Sequence, residues 1–136
     1  MTTELDQLLE LMPFAKQLGI DLERADPEEV RGSLAWRPEL CTAGDAMHGG
    51  VLMSLADSLG GICAFLNLPP GAGTATISST TSFLRAVRQG SVTATARPLH
   101  VGRTVVVVQT ELRDQDDRLV AQVTQSQGVL QPPPSG

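Results

Sequence analysis

The sequence predicts an α+β domain in which one antiparallel sheet of about six strands curls around a single long helix. Three observations carry this. An apolar run from Val51 to Leu66 opens on Met47-His48-Gly49-Gly50 and reads as one buried helix. Nearly everything after Pro70 reads as strand, in four segments separated by turn residues. The connections between those segments are short, which implies antiparallel neighbours.

The chain has 136 residues, enough for one domain, and is 41% hydrophobic, so it can bury a core. Its net charge is -5 and it has no basic run, which argues against nucleic acid as a partner. The best candidate for a membrane span, Val51 to Leu68, is interrupted by Ser54, Asp57, Ser58, two glycines and Asn67, so no membrane partner is expected. The first ten residues are acidic and lack the basic start of a secretory signal. Two cysteines, Cys41 and Cys63, make neither a disulfide framework nor a metal set, and a reducing, cytoplasmic setting is expected. With only His48 and His100 besides, a zinc site has few ligands to draw on, and none is expected.

In chain order, Thr3 to Leu18 is helical, with Leu5, Leu8, Leu9, Met12 and Ala15 on one face, Thr2 or Thr3 as cap and a break at Pro13. Ile20 to Arg24 and Val30 to Trp36 form a hairpin across the polar turn 25–29. A loop of small residues, Glu39 to Met47, delivers the chain to His48. Pro69-Pro70-Gly71-Ala72-Gly73 ends the central helix. The four strands that follow are Thr74 to Leu84, Ser91 to His100, Thr104 to Arg113 and Leu119 to Val129. The domain spans residues 1–130, and the Pro-rich tail 131–136 is expected to be extended or disordered. Trp36 and Phe83, among few aromatics, are expected in the core.

Two features of the central helix carry chemistry. The first-turn N–H groups of a helix have no intrahelical acceptor and carry its positive dipole end, so Gly49 and Gly50 form a site that can hold a carbonyl oxygen and stabilise it as an oxyanion. The plain alternative is a tight entry into a crowded helix. Asp57 sits among Leu55, Ala56, Leu59, Gly60, Gly61 and Ile62, where a carboxylate is costly without a partner or a task. Its structural alternative is a carboxylate satisfied by Ser54 or Ser58. Helix geometry places it beside Met53, Ser54, Gly60 and Gly61, with Val51, Leu55, Leu59, Ile62 and Leu66 on the opposite, core-facing side. Nine residues of helix put Asp57 about 12–14 Å from His48. One helix cannot bring both features to one carbonyl, so the pattern predicts an obligate dimer with sites at its interface.

At these residues the sequence resembles the hotdog-fold acyl-CoA thioesterases, and among them the phenylacetyl-CoA and hydroxybenzoyl-CoA thioesterase group. The matching features are His48-Gly49-Gly50, Asp57 nine positions on, Thr81-Ser82-Phe83-Leu84-Arg85-Ala86-Val87 before Gly90, His100-Val101-Gly102-Arg103-Thr104, and Leu112-Arg113-Asp114 before Arg118-Leu119-Val120-Ala121. The resemblance implies that the sheet wraps the helix, that dimers pair their sheets and that two dimers make a tetramer. It implies an acyl-CoA substrate, with coenzyme A as part of that substrate and no separate cofactor. Gly49 N–H would polarise the thioester carbonyl beside His48, Gly50 would line the same helix start, and Asp57 of the facing subunit would act as nucleophile or general base. The position six before the histidine is often Asn or Gln in the family; here it is Thr42, a departure. A hydroxyl often follows the carboxylate by one helical turn; here that position is Gly61, and Thr76, Ser78 or Thr80 is left to supply one. Arg85 and the Gly102-Arg103-Thr104 turn match positions that contact the coenzyme, as arginine's planar fork suits phosphate. Arg88 and Arg97 lie near in sequence, and His100 reads as a surface residue. Two other activities are open: an acyl-CoA-binding protein without turnover, favoured by Thr42 and Gly61, and an acyl-thioester hydratase or dehydratase, disfavoured by the spacing of His48 and Asp57.

Overall fold

The computed structural model describes residues 3–132; the end of the Pro-rich tail and the alternative cap Thr2 lie outside the described residues. The element order is α1 (Glu4–Glu10), α2 (Pro13–Leu18), β1 (Asp21–Ala25), β2 (Val30–Ala35), two short 3-10 turns, α3 (Gly49–Leu66), β3 (Gly73–Phe83), β4 (Ser91–Val101), β5 (Val105–Arg113) and β6 (Leu119–Leu130). Thr3 caps α1 through a capping box with Asp6, and Pro13 opens α2, where its missing N–H costs nothing. Every expected element is present, with ends shifted by one or two residues.

All six strands form one antiparallel sheet in the order β1-β2-β4-β5-β6-β3. This is the curved sheet wrapped around one long helix that the hotdog resemblance implies. The strand after the helix does not pair with its successor. β3 crosses to the far edge and, among the described residues, pairs only with β6, which leaves its outer side open. Inward positions alternate as the pleat requires: Val92, Ala94 and Ala96 on β4, and Val106, Val108, Thr110 and Leu112 on β5, are all fully buried. Against them lie Leu52, Leu55, Leu59, Ile62 and Cys63 of α3. By length and composition α3 could cross a bilayer, with a mean hydropathy of 1.6, but half of it is buried under the sheet.

The sheet's two edges differ. β1 is five residues long, carries Glu23 and Arg24, and contains a bulge, all of which discourage further pairing. Its charges belong to a network around the buried Glu29, whose carboxylate accepts from Arg24 (3.1 Å), Arg31 (2.8 Å) and Arg97 (2.6 Å). β3 is eleven residues long, has no charge and no proline, and exposes almost every residue.

Cys63 is fully buried, and that burial, with Asp26 adding to it, pushes its thiol up to about 11. An unfolded thiol ionises near 9.0, so between pH 9 and 11 the unfolded chain gives up a proton that the folded chain keeps. Stability is unaffected below that window and falls across it, by about 2–3 kcal/mol for this one group. Urea unfolding of wild type and Cys63→Ala at pH 8 and pH 10.5 checks this: the alanine variant should lose less stability on going up, and parallel losses would show that Cys63 contributes nothing.

Candidate active site

The start of α3 is held by its own loop. His48 N–H donates to Leu40 O (2.8 Å), Met47 N–H to Val87 O (2.8 Å) and Thr42 N–H to Ala46 O (2.8 Å). The His48 ring caps the helix: Nδ1 accepts from Gly50 N–H at 2.8 Å, so the neutral ring carries its proton on Nε2. That contact occupies Gly50's N–H. Gly49 N–H is the first-turn donor without a protein acceptor among the described residues. Thr42 is exposed in the same loop and its hydroxyl makes no cap hydrogen bond to the turn that follows it.

Phe83 corrects the sequence reading. It is 52% exposed and not part of the core. Its ring lies over Gly49, where a Cβ would come within 3.1 Å of it. Glycine allows that close approach, which a larger residue would gain only by shifting the half-exposed ring.

Asp57 also departs from expectation. Its side is exposed in the single chain, and neither Ser54 nor Ser58 satisfies it; Ser54 Oγ donates to Gly50 O instead (2.7 Å). Two groups from the sheet do. Thr76 Oγ1 donates to Asp57 Oδ1 (3.1 Å), and Gln125 Nε2 donates to the same oxygen (3.3 Å). Behind them, Gln127 Nε2 donates to Thr76 Oγ1 (2.7 Å), and Thr74 Oγ1 donates to Gln127 Oε1 (3.1 Å). Oδ1 is therefore held, and Oδ2 has no partner among the described residues. Of the three hydroxyls considered for this place, Thr76 takes it.

The two glutamines were missed from the sequence. Both are 1% exposed, at inward positions of β6 that continue the alternation of Ala121 and Val123. Polar residues at core-facing positions are costly unless bonded, and that was the available signal. Gly60 makes the room: a Cβ there would lie 2.2 Å from Gln125 Oε1.

A bulge aligns the two features. Thr76 pairs with Gln127 and Ser78 with Ser126, so Ile77 is an extra residue on β3. Without it, Thr76 and Phe83, seven apart, would point to opposite faces of the sheet; with it, both point at α3.

The cationic candidates divide. Arg97 is committed to Glu29, and Arg88 Nε donates to Gly44 O (3.3 Å). Seven of the ten cations have carboxylate partners; Arg85, Arg88 and Arg103 have none among the described residues. Arg85 sits beside the start of β6, its N–H bonded to Val120 O. The Gly102-Arg103-Thr104 turn sits beside the other end of β6, where Val129 N–H bonds Thr104 O. About 30 Å of strand separates them, and eight residues of helix, about 12 Å, separate Gly49 from Asp57, so one chain brings neither pair together. His100 is exposed, at the turn.

Comparison with known proteins bears on this arrangement. Residues 44–121, from the loop before α3 into β6, match the model of the thioesterase superfamily. The chain belongs to the thioesterase superfamily. Consistent with this, a provisionally assigned esterase of Mycobacterium tuberculosis is 32% identical over 113 residues, 81% of each chain. A thioesterase structure from Haemophilus influenzae superposes with a TM-score of 0.88 at 26% identity, covering 96% of this chain and 92% of that one. The PaaI protein of the Escherichia coli phenylacetic acid degradation operon superposes at 0.84 and 25% identity, covering 93% and 90%. This thioesterase is thus a thioester hydrolase of hotdog fold.

Proposed function

We propose that the protein hydrolyses an acyl-CoA to the free acid and coenzyme A at sites built across a dimer interface. The observation that carries this is the placement of two incomplete half-sites along one edge strand: Gly49 lies under Phe83 at the end of β3, and Asp57 lies under Thr76 near its start. A long, uncharged edge strand invites pairing with a second copy. Antiparallel pairing of β3 with its two-fold mate, centred near Ser79 and Thr80, would set Phe83 of one chain beside Thr76 of the other. Each site would then combine Gly49 of one chain with Asp57 of the partner. The same symmetry would bring Arg85 and Arg103 from different chains to one end, suiting the coenzyme's phosphates, with Gly102 and Thr104 shaping that turn. A dimer of such dimers fits the family's habit.

In this reading the thioester oxygen accepts from Gly49 N–H. Thr42 and His48 flank it, His48 keeping Gly50 in the helical turn. Asp57 Oδ2 takes the proton of an attacking water, or attacks the carbonyl carbon itself to give an anhydride that water cleaves after the thiolate has left, releasing the acid and restoring the carboxylate. The C–S bond then breaks and the thiolate of coenzyme A takes up a proton. The reaction needs no further cofactor. The PaaI likeness makes phenylacetyl-CoA a substrate worth first trial, and unpaired thiols suit a cytoplasmic setting. Thiol release from short aliphatic, long aliphatic and aryl CoA esters tests the activity; tight binding with no free acid formed would replace hydrolysis by sensing. A single turnover in ¹⁸O-water separates the two roles of Asp57: label in the enzyme's carboxylate requires direct attack.

A further inference from the structure

An amide inside a fold commonly serves its backbone, and this chain has one that does. Asn67 Nδ2 donates to Pro27 O (2.9 Å) and Cys63 O (2.8 Å), tying the end of α3 to the turn between β1 and β2. Gln127 is different. It is 1% exposed, at an inward position of β6, and among the described residues neither of its polar atoms meets a backbone group. A buried amide is costly unless bonded, and an apolar side chain of its length would serve packing better. Its bonds run in one direction. Thr74 Oγ1 donates to Gln127 Oε1 (3.1 Å), which turns the amide nitrogen toward Thr76, and Gln127 Nε2 donates to Thr76 Oγ1 (2.7 Å). An amide nitrogen only donates, so the single proton of Thr76 goes the other way, to Asp57 Oδ1 (3.1 Å). The chain of bonds ends on the candidate carboxylate, and its charge polarises each bond before it. Thr76 needs such a hold: it is exposed and precedes the Ile77 bulge on an edge strand, so packing does not fix its hydroxyl. Gln125 follows the same pattern. Its Nε2 donates to Asp57 Oδ1, and its Oε1 has no hydrogen-bond partner among the described residues.

We infer that Gln127 is a positioning residue for the hydrolysis: through Thr76 it holds Asp57 Oδ1 in one direction, so that Oδ2 is the oxygen that meets water or the thioester carbon. The inference rests on the function proposed above, and adds to it a residue that touches neither the substrate nor the reacting atoms. Thr74 sets the direction of the Gln127 amide, Gln127 sets that of the Thr76 hydroxyl, and Thr76 sets that of the carboxylate.

The test is kcat and KM for octanoyl-CoA and phenylacetyl-CoA in Gln127→Met. Methionine has the length of glutamine and no donor. It leaves Thr74 Oγ1 its other acceptor, Gly128 O (3.1 Å), and strands no buried group, so the thermal midpoint should hold or rise. The expected kcat is about fivefold lower, with KM within about twofold; the loss stays below that of Thr76→Val because Thr76 keeps its own proton for Asp57. The two losses should not add. In a Thr76→Val background Gln127→Met should change kcat by less than about twofold, since the group it acts through is gone. A lower midpoint with kcat unchanged would make Gln127 a structural residue and overturn the inference, and so would a loss that adds in full to that of Thr76→Val. Should Gln127→Met not fold, Thr74→Val decides. It removes only the hydroxyl that directs the amide, at a half-buried strand position that suits valine. A fall in kcat of about threefold with KM unchanged is then expected, and a wild-type kcat overturns the inference. The underlying hydrolase reading fails separately, through undiminished turnover in Asp57→Asn. If that variant is inactive while Gln127→Met turns over normally, hydrolysis at Asp57 stands and the role of Gln127 alone falls.

Discussion

Asp57→Asn should lower kcat by about 10²–10⁴-fold on every acyl-CoA the protein hydrolyses, with KM changed little. Asparagine has the shape of the carboxylate and keeps one oxygen to accept from Thr76 and Gln125, so the local geometry survives. It loses the charge and the free oxygen that would take water's proton or attack carbon. The carboxylate is exposed in the single chain, so no buried charge is removed and the fold should not suffer. An unchanged thermal midpoint beside a collapsed kcat is the expected pair of measurements. Retention of more than a tenth of wild-type turnover would end Asp57's candidacy. Thr76→Val is the graded companion: it deletes one of the two donors to Oδ1 and should lower kcat by about tenfold, the size of a hydrogen bond to a charged group. A loss that leaves Asp57→Asn indifferent to Thr76→Val would show that both act on one step.

Most of the fold was legible because periodicity reports burial. The period-two pattern of Val92, Ala94 and Ala96 and the apolar run of α3 each have one reading, and Pro13 and the Pro-Pro-Gly stretch mark breaks that no tertiary contact reverses. What was not legible depends on which elements meet. Nothing local in Gly73–Phe83 says that this strand crosses to the far edge, and nothing marks Ile77 as a bulge, since a bulge is a property of two strands in register. The error over Phe83 has the same origin: an aromatic on a strand packs in a core unless the strand is an edge and the neighbour is a glycine at a helix start. Asp57 was legible as an anomaly, but its partners lie 19 and 68 residues away. Gln125 and Gln127 could have been found by following β6's inward alternation to its polar end.

Half-sites on different chains should complement one another in a mixed dimer. Gly49 is the first residue of α3, and His48 before it has φ -60° and ψ 135°, the conformation that a following proline demands. Gly49→Pro therefore removes that first-turn N–H while fitting the helix start; the Phe83 ring, half exposed, only has to swing aside. Loss of an oxyanion donor should cost about 10²–10³-fold in kcat. Now pair a subunit carrying Gly49→Pro with one carrying Asp57→Asn, using two tags to purify the heterodimer. If each site takes Gly49 from one chain and Asp57 from the other, one of the two sites has both wild-type residues and the other has neither. The heterodimer should recover about half of wild-type activity although each parent is nearly inactive. If instead both residues act within one chain, each site carries one defect and the heterodimer is as inactive as its parents. Eight residues of rigid helix, about 12 Å, make the first outcome the expected one, because no motion of an intact helix can close that distance within one chain.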